Sequence, residues 1–253
     1  MDLQLTGSRV LVTGGTRGIG RAIVETFVDE GATVEFCARD AAEIEAAEKA
    51  LAGRSGRAAG VQVDVGNGPA LTGWVSAAAE RLGGLDVVVS NVSALAIPES
   101  EEAWRLSFEV DLMGTVRLAT AALPHLEASG NGAIVAISSV SGREADFASG
   151  PYGTMKTAIV GYISGLALQL AGRGVRANVV SPGNTYFEGG VWQQIEQGNP
   201  ELYSAALALN PTGRMGKPEE MARAVVFLAS PVSSFTTGAH LVVDGALTRG
   251  IQL

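Results

Sequence analysis

Short apolar runs rich in valine and isoleucine recur along the chain, and alanine-rich segments with amphipathic spacing separate them. Such runs are typical of strands that are buried on both faces of a parallel sheet. The intervening segments, for example 20–31 and 41–53, are predicted to be helices. Seven runs are predicted strands: 9–14, 33–38, 60–65, 85–91, 132–139, 175–183 and 240–246.

The alternation of strand and helix predicts right-handed crossovers and a Rossmann-type, doubly wound parallel sheet, which is an α/β fold of three layers. No linker, low-complexity tract or domain-length repeat interrupts the pattern. The chain 1–253 is therefore predicted to form a single domain.

Two stretches depart from this rhythm. The crossover from Glu99 to about Ala128 is long, and it carries Trp104, Phe108 and Leu112 at helical spacing, as core or subunit-interface residues do. The segment at about 184–211 is also long for a connection in a compact domain. We predict that this second segment is a lid over a binding site.

Composition and charge narrow the classes of function. Of 253 residues, 47 % are hydrophobic and 17 % charged, and this balance excludes a disordered chain. A formal charge of −8 argues against nucleic acid and anionic membranes as partners. The single cysteine, Cys37, and the two separate histidines, His125 and His240, match no metal-ligand spacing, so no metal is expected. With no signal peptide and no apolar run long enough to span a bilayer, we expect a soluble, cytoplasmic protein.

A glycine-rich turn follows the first predicted strand in "TGGTRGIG", residues 13–20. Gly14, Gly18 and Gly20 leave room for a pyrophosphate to approach the backbone, and the next helix presents its N-terminal N–H groups to the anion. A glycine-rich turn alone is weak evidence, but this one lies between the first strand and the first helix. That position predicts a dinucleotide site.

The second strand ends in "CARD", where an NAD-binding protein usually has an acidic residue for the ribose hydroxyl. This chain has Arg39 there, and Arg17 lies inside the glycine turn. Either arginine alone could be a solvated surface group, but two that can converge on one phosphate favour NADP(H) over NAD(H).

Tyr152 and Lys156 in "GPYGTMKT" are four residues apart, so they share one face of a predicted helix. Most isolated pairs of this kind have no function. In a dinucleotide-binding chain, however, the ammonium favours the phenolate form of the tyrosine and suits it to proton transfer.

The motifs occur in an order that resembles the short-chain dehydrogenase/reductase family from about Arg9 to Gly245, including its 3-oxoacyl-carrier-protein reductase members. The family's cofactor turn is similar to "TGGTRGIG", its Y-x-x-x-K to "YGTMK" and its serine segment to "ISSVSG". The pair Asp64-Val65, "NVVSPG" and the C-terminal "HLVVDGA" also follow the family pattern.

The resemblance implies roles for individual residues. Tyr152 exchanges a proton with the substrate oxygen, Ser139 polarises the carbonyl, Lys156 also binds the nicotinamide ribose, and Asp111 stands where the family has its fourth catalytic residue. The implied cofactor contacts are Gly14, Thr16, Arg17, Gly18, Ile19, Gly20, Arg39, Asp64, Val65, Asn91, Tyr152, Lys156, Pro182, Gly183 and Thr185. A homodimer or homotetramer is implied as well.

The chain departs from the family in several places. Asp111 replaces an asparagine and adds a charge near Lys156, and Ser93 stands where glycine is usual. Phe187 stands where a threonine is frequent, while Thr185 lies two residues after Gly183.

The substrate is predicted to be a ketone or secondary alcohol on a small, fairly apolar molecule. Val191 and Ile195 are expected to pack on the core, whereas Phe187 and Trp192, beside paired glycines, suit a mobile flap. The first alternative is a 3-oxoacyl-carrier-protein reductase, although "HLEASGNG" has no basic residue for an acidic carrier. The second is a catalytically weak NADP-binding regulatory or scaffold protein.

Overall fold

The computed structural model describes residues 2–250; the predicted domain also includes residue 1 and residues 251–253, which lie outside the described residues. The strands are β1 (Arg9–Thr13), β2 (Thr33–Ala38), β3 (Arg57–Gln62), β4 (Val87–Ser90), β5 (Gly132–Ile137), β6 (Val175–Pro182) and β7 (His240–Val243). The helices are α1 (Gly18–Asp29), α2 (Ala41–Leu51), α3 (Gly68–Leu82), α4 (Glu101–Ser107), α5 (Gly114–Ser129), α6 (Pro151–Leu170), α7 (Val191–Gly198), α8 (Pro200–Ala208) and α9 (Pro218–Ala229).

The strands form one parallel sheet in the order β3-β2-β1-β4-β5-β6-β7. Helices α1, α2 and α9 cover one face, and α3, α5 and α6 cover the other, so an apolar core lies on each side of the sheet. This arrangement confirms the predicted α/β fold of three layers in a single domain. The strand order reverses between β1 and β4, and a doubly wound sheet binds its ligands at that point.

The edge strands differ from the prediction. The third strand is Arg57–Gln62 and not 60–65, and its side chains are half-buried or exposed. All four residues of β7 are half-buried. An edge strand has a neighbour on one side only, so burial on both faces was the wrong expectation for β3 and β7. The predicted positions of the five inner strands are confirmed.

The long crossover is a nearly continuous helix with a π-helical turn at Phe108–Met113 between α4 and α5. Trp104 donates its indole N–H to Glu99, Leu112 packs partly buried against the core, and Phe108 is 45 % exposed. Phe108 is therefore not a core residue of one chain, although the sequence allowed either a core or an interface position.

The segment after β6 folds into α7 and α8, which share a small apolar cluster of their own. Trp192 is its buried centre, with Ala206 and Met215, and Val191 and Ile195 pack around it. Val191 and Ile195 thus pack within the segment and not on the main core. Trp192 packs with them, whereas the sequence set it apart as a flap residue. Among the described residues, no helix is both long and apolar enough to cross a bilayer.

Candidate active site

The carboxyl ends of the strands bring the predicted site residues to one edge of the sheet. The glycine turn follows β1, Asn91 follows β4, Ser139 follows β5, and Pro182 ends β6. Because the strands are parallel and neighbouring, motifs that are far apart in sequence meet at this edge. Tyr152 and Lys156 reach the same edge from α6, and Asp111 reaches it from the π-helical turn.

The glycine turn has a backbone that glycine favours. Gly14 and Gly18 have φ angles of 73° and 53°, in the left-handed region. A Cβ on Gly20 would lie 1.9 Å from the carbonyl oxygen of Gly14 and 2.4 Å from Asn91 Nδ2. The first turn of α1 is therefore folded tightly onto the loop.

Asn91 fastens the end of β4 to this turn. Its side-chain amide donates to the carbonyls of Thr13 at 3.0 Å and Gly14 at 3.2 Å, and its backbone N–H donates to Thr13 Oγ1. Both amide hydrogens thus go to backbone carbonyls of the turn. These hydrogen bonds hold the glycine turn, which is the predicted cofactor turn, against the end of β4.

Arg17 and Arg39 are exposed beside the turn, and neither has an ion-pair partner within residues 2–250. Thr16 Oγ1 donates to the carboxylate of Glu43 at 2.7 Å, which places one acidic group beside the glycine turn. The guanidinium groups are free to bind an anion. Nothing in the sequence relates Glu43 to the glycine turn.

Three further predicted cofactor contacts, Asp64, Val65 and Ile19, lie near the ends of β3 and β1. Asp64 is exposed and accepts a hydrogen bond from the Gly66 N–H at 2.9 Å, while Val65 is buried beneath it. Ile19 packs partly buried against the core under α1. The structure thus groups these residues around the ends of β1, β2 and β3.

Ser139 begins a short 3₁₀ turn that is packed on α6. Its hydroxyl oxygen accepts from the Ser141 N–H at 3.1 Å, and its side chain is 8 % exposed. Thr157 donates to the carbonyl of Gly142 at 2.8 Å, which holds the turn against α6. The Ser139 hydroxyl hydrogen is still available for a further acceptor.

Lys156 projects from α6 toward the end of β5 and meets both Tyr152 and Asp111. Its Nζ lies 5.7 Å from the centre of the Tyr152 ring, 3.3 Å from Asp111 Oδ1, and donates to the carbonyl of Ile137 at 3.1 Å. Lys156 is 2 % exposed and Asp111 is not exposed at all, whereas Tyr152 is half-buried. The structure therefore brings together a phenol, an ammonium and a carboxylate.

The π-helical turn carries Asp111 into this cluster. π-Helical turns are rare and frequently occur at functional sites. The carbonyl of Asp111 accepts from Thr115 Oγ1 at 2.7 Å, and Thr115 in turn contacts the hydroxyl of Ser90. A π-helical turn inserts one residue more than an α-helical turn has. The helical spacing of apolar residues in the sequence did not indicate this insertion.

The end of β6 leads to a closely packed segment that contains Gly183 and Thr185, two of the predicted cofactor contacts. A Cβ on Gly183 would lie 2.7 Å from Asp244 Cα, so the chain passes too close to the end of β7 for a larger residue. Thr185 is buried, and its hydroxyl donates to the carbonyl of Gly183 at 3.0 Å.

A Cβ on Gly18 would lie 2.5 Å from Phe187 Cζ, so the Phe187 ring lies against the glycine turn. This contact was missed, because nothing in the sequence relates Phe187 to Gly18.

An aromatic pair joins the loop after Ser139 to α7. The rings of Phe147 and Trp192 are 5.8 Å apart and meet edge to face. Phe147 is 55 % exposed and comes from the loop between Ser139 and Tyr152. The sequence offered no sign of Phe147, since a lone exposed aromatic in a loop has no periodicity.

The cysteine and the histidines lie outside this cluster. Burial raises the pKa of the Cys37 thiol to about 12, so the group is inert at neutral pH. His240 Nε2 is 2.6 Å from Ser181 Oγ, and burial lowers the pKa of its ring. No three acidic, histidine or cysteine side chains of residues 2–250 converge as a metal site would need.

Comparison with known proteins relates this geometry to a family. The sequence profile described as enoyl-(acyl carrier protein) reductase matches residues 14–248. Isoepoxydon dehydrogenase of Penicillium expansum is 40 % identical over 98 % of this chain and 97 % of its own length. L-fucose dehydrogenase of Mus musculus is 39 % identical over 98 % and 90 %. The 3-oxoacyl-[acyl-carrier-protein] reductase of Vibrio cholerae is 33 % identical over 97 % and 99 %.

A solved structure agrees with this assignment. A putative short-chain dehydrogenase/reductase from Burkholderia xenovorans superposes with a TM-score of 0.90 at 30 % identity, and covers 98 % of this chain and 99 % of its own. Relatives of this kind act on alcohol and ketone groups with a nicotinamide cofactor. The chain belongs to the short-chain dehydrogenase/reductase family and is an oxidoreductase.

Proposed function

We propose that this protein is an NADP(H)-dependent oxidoreductase that interconverts a ketone and a secondary alcohol on a small, fairly apolar molecule. The observation that carries the proposal is the position of Lys156, whose ammonium lies 5.7 Å from the Tyr152 ring at the sheet edge that bears the glycine turn. A phenol beside a buried ammonium is suited to proton transfer next to a bound dinucleotide.

The residues present fit a dinucleotide. A Cβ on Gly20 would clash with the Gly14 carbonyl, so only glycine lets the N-terminus of α1 pack this closely against the turn, and backbone N–H groups there suit a pyrophosphate. Arg17 and Arg39 would hold the 2′-phosphate, and Asp64 with Val65 would contact the adenine. For the pyrophosphate to reach Gly18, the ring of Phe187 has to move away.

The chain's own residues would divide the chemistry between them. The bound nicotinamide supplies or accepts a hydride. Ser139 donates its free hydroxyl hydrogen to the substrate oxygen and orients it. Tyr152 protonates that oxygen during reduction and takes the proton back during oxidation. Lys156 binds the nicotinamide ribose and stabilises the phenolate.

The choice of cofactor is the first testable prediction. Removing both arginines, Arg17→Ala with Arg39→Ala, is expected to erase at least about a tenfold preference for NADPH over NADH, since charge-assisted contacts to the 2′-phosphate are lost. Calorimetric titration with each reduced cofactor measures the two Kd values.

A matched control separates this local effect from a change in net charge. Arg57 and Arg223 are exposed and lie outside the site, so Arg57→Ala with Arg223→Ala removes the same two charges. That variant should keep the preference. Equal affinity for NADPH and NADH in the unmodified protein would contradict the assignment to NADP(H).

The apolar surface beside the site supports the proposed substrate class. Trp192 and Phe147 form an aromatic wall, and exposed Leu95 lies in the loop that follows β4. Two relatives are named for isoepoxydon and L-fucose, so a hydroxylated ring is the specific competitor to an apolar ketone. A panel of ketones, diketones, cyclic polyols and sugars would separate the two.

The lid is the second testable prediction. We expect Trp192→Ala to raise KM for apolar ketones several-fold, because the segment 184–211 would then lose its packing centre and its contact with Phe147. Trp192 emission should also change when substrate joins the cofactor complex, which fluorescence titration measures.

Trp104 offers the control, because it lies on α4 outside the lid. Trp104→Phe should retain the emission change, and Trp192→Phe should abolish it. Unchanged KM in Trp192→Ala, together with best turnover of sugars, would contradict both the lid and the apolar substrate.

Two alternatives remain in view. A 3-oxoacyl-carrier-protein reductase is supported by relatives of that name, but the chain has a formal charge of −8, which disfavours an acidic carrier protein. A catalytically weak regulatory or scaffold protein is supported only by Asp111, which replaces the family asparagine. Turnover of any carbonyl with NADPH would exclude this second alternative.

A cytoplasmic location stays a prediction from the sequence.

Assembly is the third testable prediction. We expect a homodimer or homotetramer, because family members pair through the long crossover helix and the tyrosine helix. Phe108 on the first and Leu168 on the second are exposed apolar residues, at 45 % and 85 %, that a partner could cover. Multi-angle light scattering should give at least twice 25.9 kDa, and a monomer at micromolar concentration would contradict this.

A further inference from the structure

The ion pair of Asp111 and Lys156 differs from the other ion pairs within residues 2–250. Asp111 Oδ1 lies 3.3 Å from Lys156 Nζ, and the side chains are 0 % and 2 % exposed. Every other ion pair in that range keeps at least one partner partly exposed. A buried pair is little screened by solvent, so its charges act on whatever binds beside it.

The surroundings of Asp111 suit a carboxylate and not the family asparagine. Oδ2 accepts a hydrogen bond from the Ala94 N–H at 3.0 Å, while Oδ1 has no hydrogen-bond partner and faces the ammonium of Lys156. Both oxygens therefore face donors. A side-chain amide has one acceptor oxygen and one donor nitrogen, so an asparagine would turn a donor toward a donor.

The carboxylate changes the net charge of the site. With aspartate the pair is neutral, whereas an amide would leave the full positive charge of Lys156. The oxidised nicotinamide ring carries one more positive charge than the reduced ring. A neutral pair therefore repels the oxidised form less than an isolated ammonium would.

We propose that Asp111 shifts the cofactor preference of the site toward the oxidised nicotinamide, and so adapts this protein to oxidise a secondary alcohol. The inference rests on the proposed function of Lys156 at the nicotinamide ribose. In that direction the carbinol C–H bond breaks and its hydride passes to the nicotinamide. The hydroxyl proton passes to the Tyr152 phenolate, and the C–O single bond becomes the carbonyl of the ketone.

A purely structural role for Asp111 makes a different prediction. If the carboxylate only holds Lys156 in place, its loss should weaken the binding of the oxidised and of the reduced cofactor by the same factor. The ratio of their dissociation constants distinguishes the two roles, because uniform weakening cancels in the ratio.

The test is equilibrium binding of NADP⁺ and of NADPH, each titrated by calorimetry into the unmodified protein, Asp111→Asn and Lys156→Met. If NAD⁺ and NADH bind better, they replace the phosphorylated pair. In Asp111→Asn the ratio Kd(oxidised)/Kd(reduced) should rise on the order of tenfold. In Lys156→Met, which leaves the carboxylate alone, the ratio should fall. Shifts of the ratio in opposite directions in the two variants would show that the charges of Asp111 and Lys156 determine it.

Glu109→Gln is the matched control. Glu109 lies two residues before Asp111 in the same π-helical turn, but it pairs with Arg117 and is 40 % exposed. This variant should keep the ratio of the unmodified protein. Thermal melting identifies a variant that does not fold; if Asp111→Asn is lost in this way, the fall in ratio expected in Lys156→Met still tests the proposal.

The outcomes separate the inference from the proposed function. Failure of the unmodified protein to bind any of the four cofactors overturns the proposed function and this inference with it. Binding with a ratio that stays the same in the folded variants overturns the inference alone. Shifts of the same direction in both variants also overturn it.

Discussion

Replacing Tyr152 with phenylalanine is expected to lower kcat by about 10² or more and to leave cofactor affinity within about twofold. The change removes only the hydroxyl that would exchange a proton with the substrate. The ring stays beside Lys156, whose Nζ is held by the carbonyl of Ile137 and by Asp111, so the cofactor side of the site keeps its geometry. Steady-state kinetics with NADPH and the best ketone of the panel measure kcat.

Tyr162 on the same helix provides the control. It is half-buried, burial raises its pKa, and its hydroxyl contacts the side chain of Thr120, away from the sheet edge. Tyr162→Phe should therefore retain most of the activity. If Tyr152→Phe also retained most activity, Tyr152 would not be the proton donor.

Replacing Gly20 with alanine is expected to lower dinucleotide affinity at least tenfold and the free energy of unfolding by about 3 kcal/mol. The added Cβ would lie 1.9 Å from the Gly14 carbonyl oxygen and 2.4 Å from Asn91 Nδ2. Relief of these clashes has to open the turn and break its hydrogen bonds to Asn91. Calorimetry with NADPH and urea unfolding measure the two effects.

Gly161 offers a matched glycine-to-alanine control in a helix. It lies in α6, and a Cβ placed there meets nothing within 4 Å. Gly161→Ala should leave cofactor binding unchanged and raise the free energy of unfolding by up to about 1 kcal/mol. If Gly20→Ala behaved like Gly161→Ala, the tight packing of the cofactor turn would be wrong.

The inner strands and the main motifs were predictable from sequence for a physical reason. A strand covered by helices on both faces has to be apolar at nearly every position, as in "RVLVT" and "GAIVAI". Parallel strands also place every strand–helix loop at one edge, so the glycine turn, Ser139 and Pro182 had to meet. The offset of β3 was not predictable in this way, because an edge strand tolerates polar and small residues.

Two contacts within the site, Asp111 with Lys156 and Phe187 with Gly18, were not predictable from the sequence. The π-helical turn that buries Asp111 leaves no periodic signal, and the 3.3 Å approach to Lys156 depends on that turn. Phe187 reaches Gly18 only because the chain after Gly183 folds back over the sheet edge. Such contacts join residues far apart in sequence through irregular backbone, which propensity does not encode.

Hydride transfer itself is the central claim, and isotope transfer tests it most directly. The protein is incubated with NADPH deuterated at both C4 positions and with the ketone that turns over best, and the product is analysed by mass spectrometry. We predict one deuterium on the carbinol carbon of the alcohol, formed at least about 10² times more slowly with Tyr152→Phe. Binding of NADPH without deuterium transfer to any ketone, aldehyde or acyl thioester tested would contradict the proposed function.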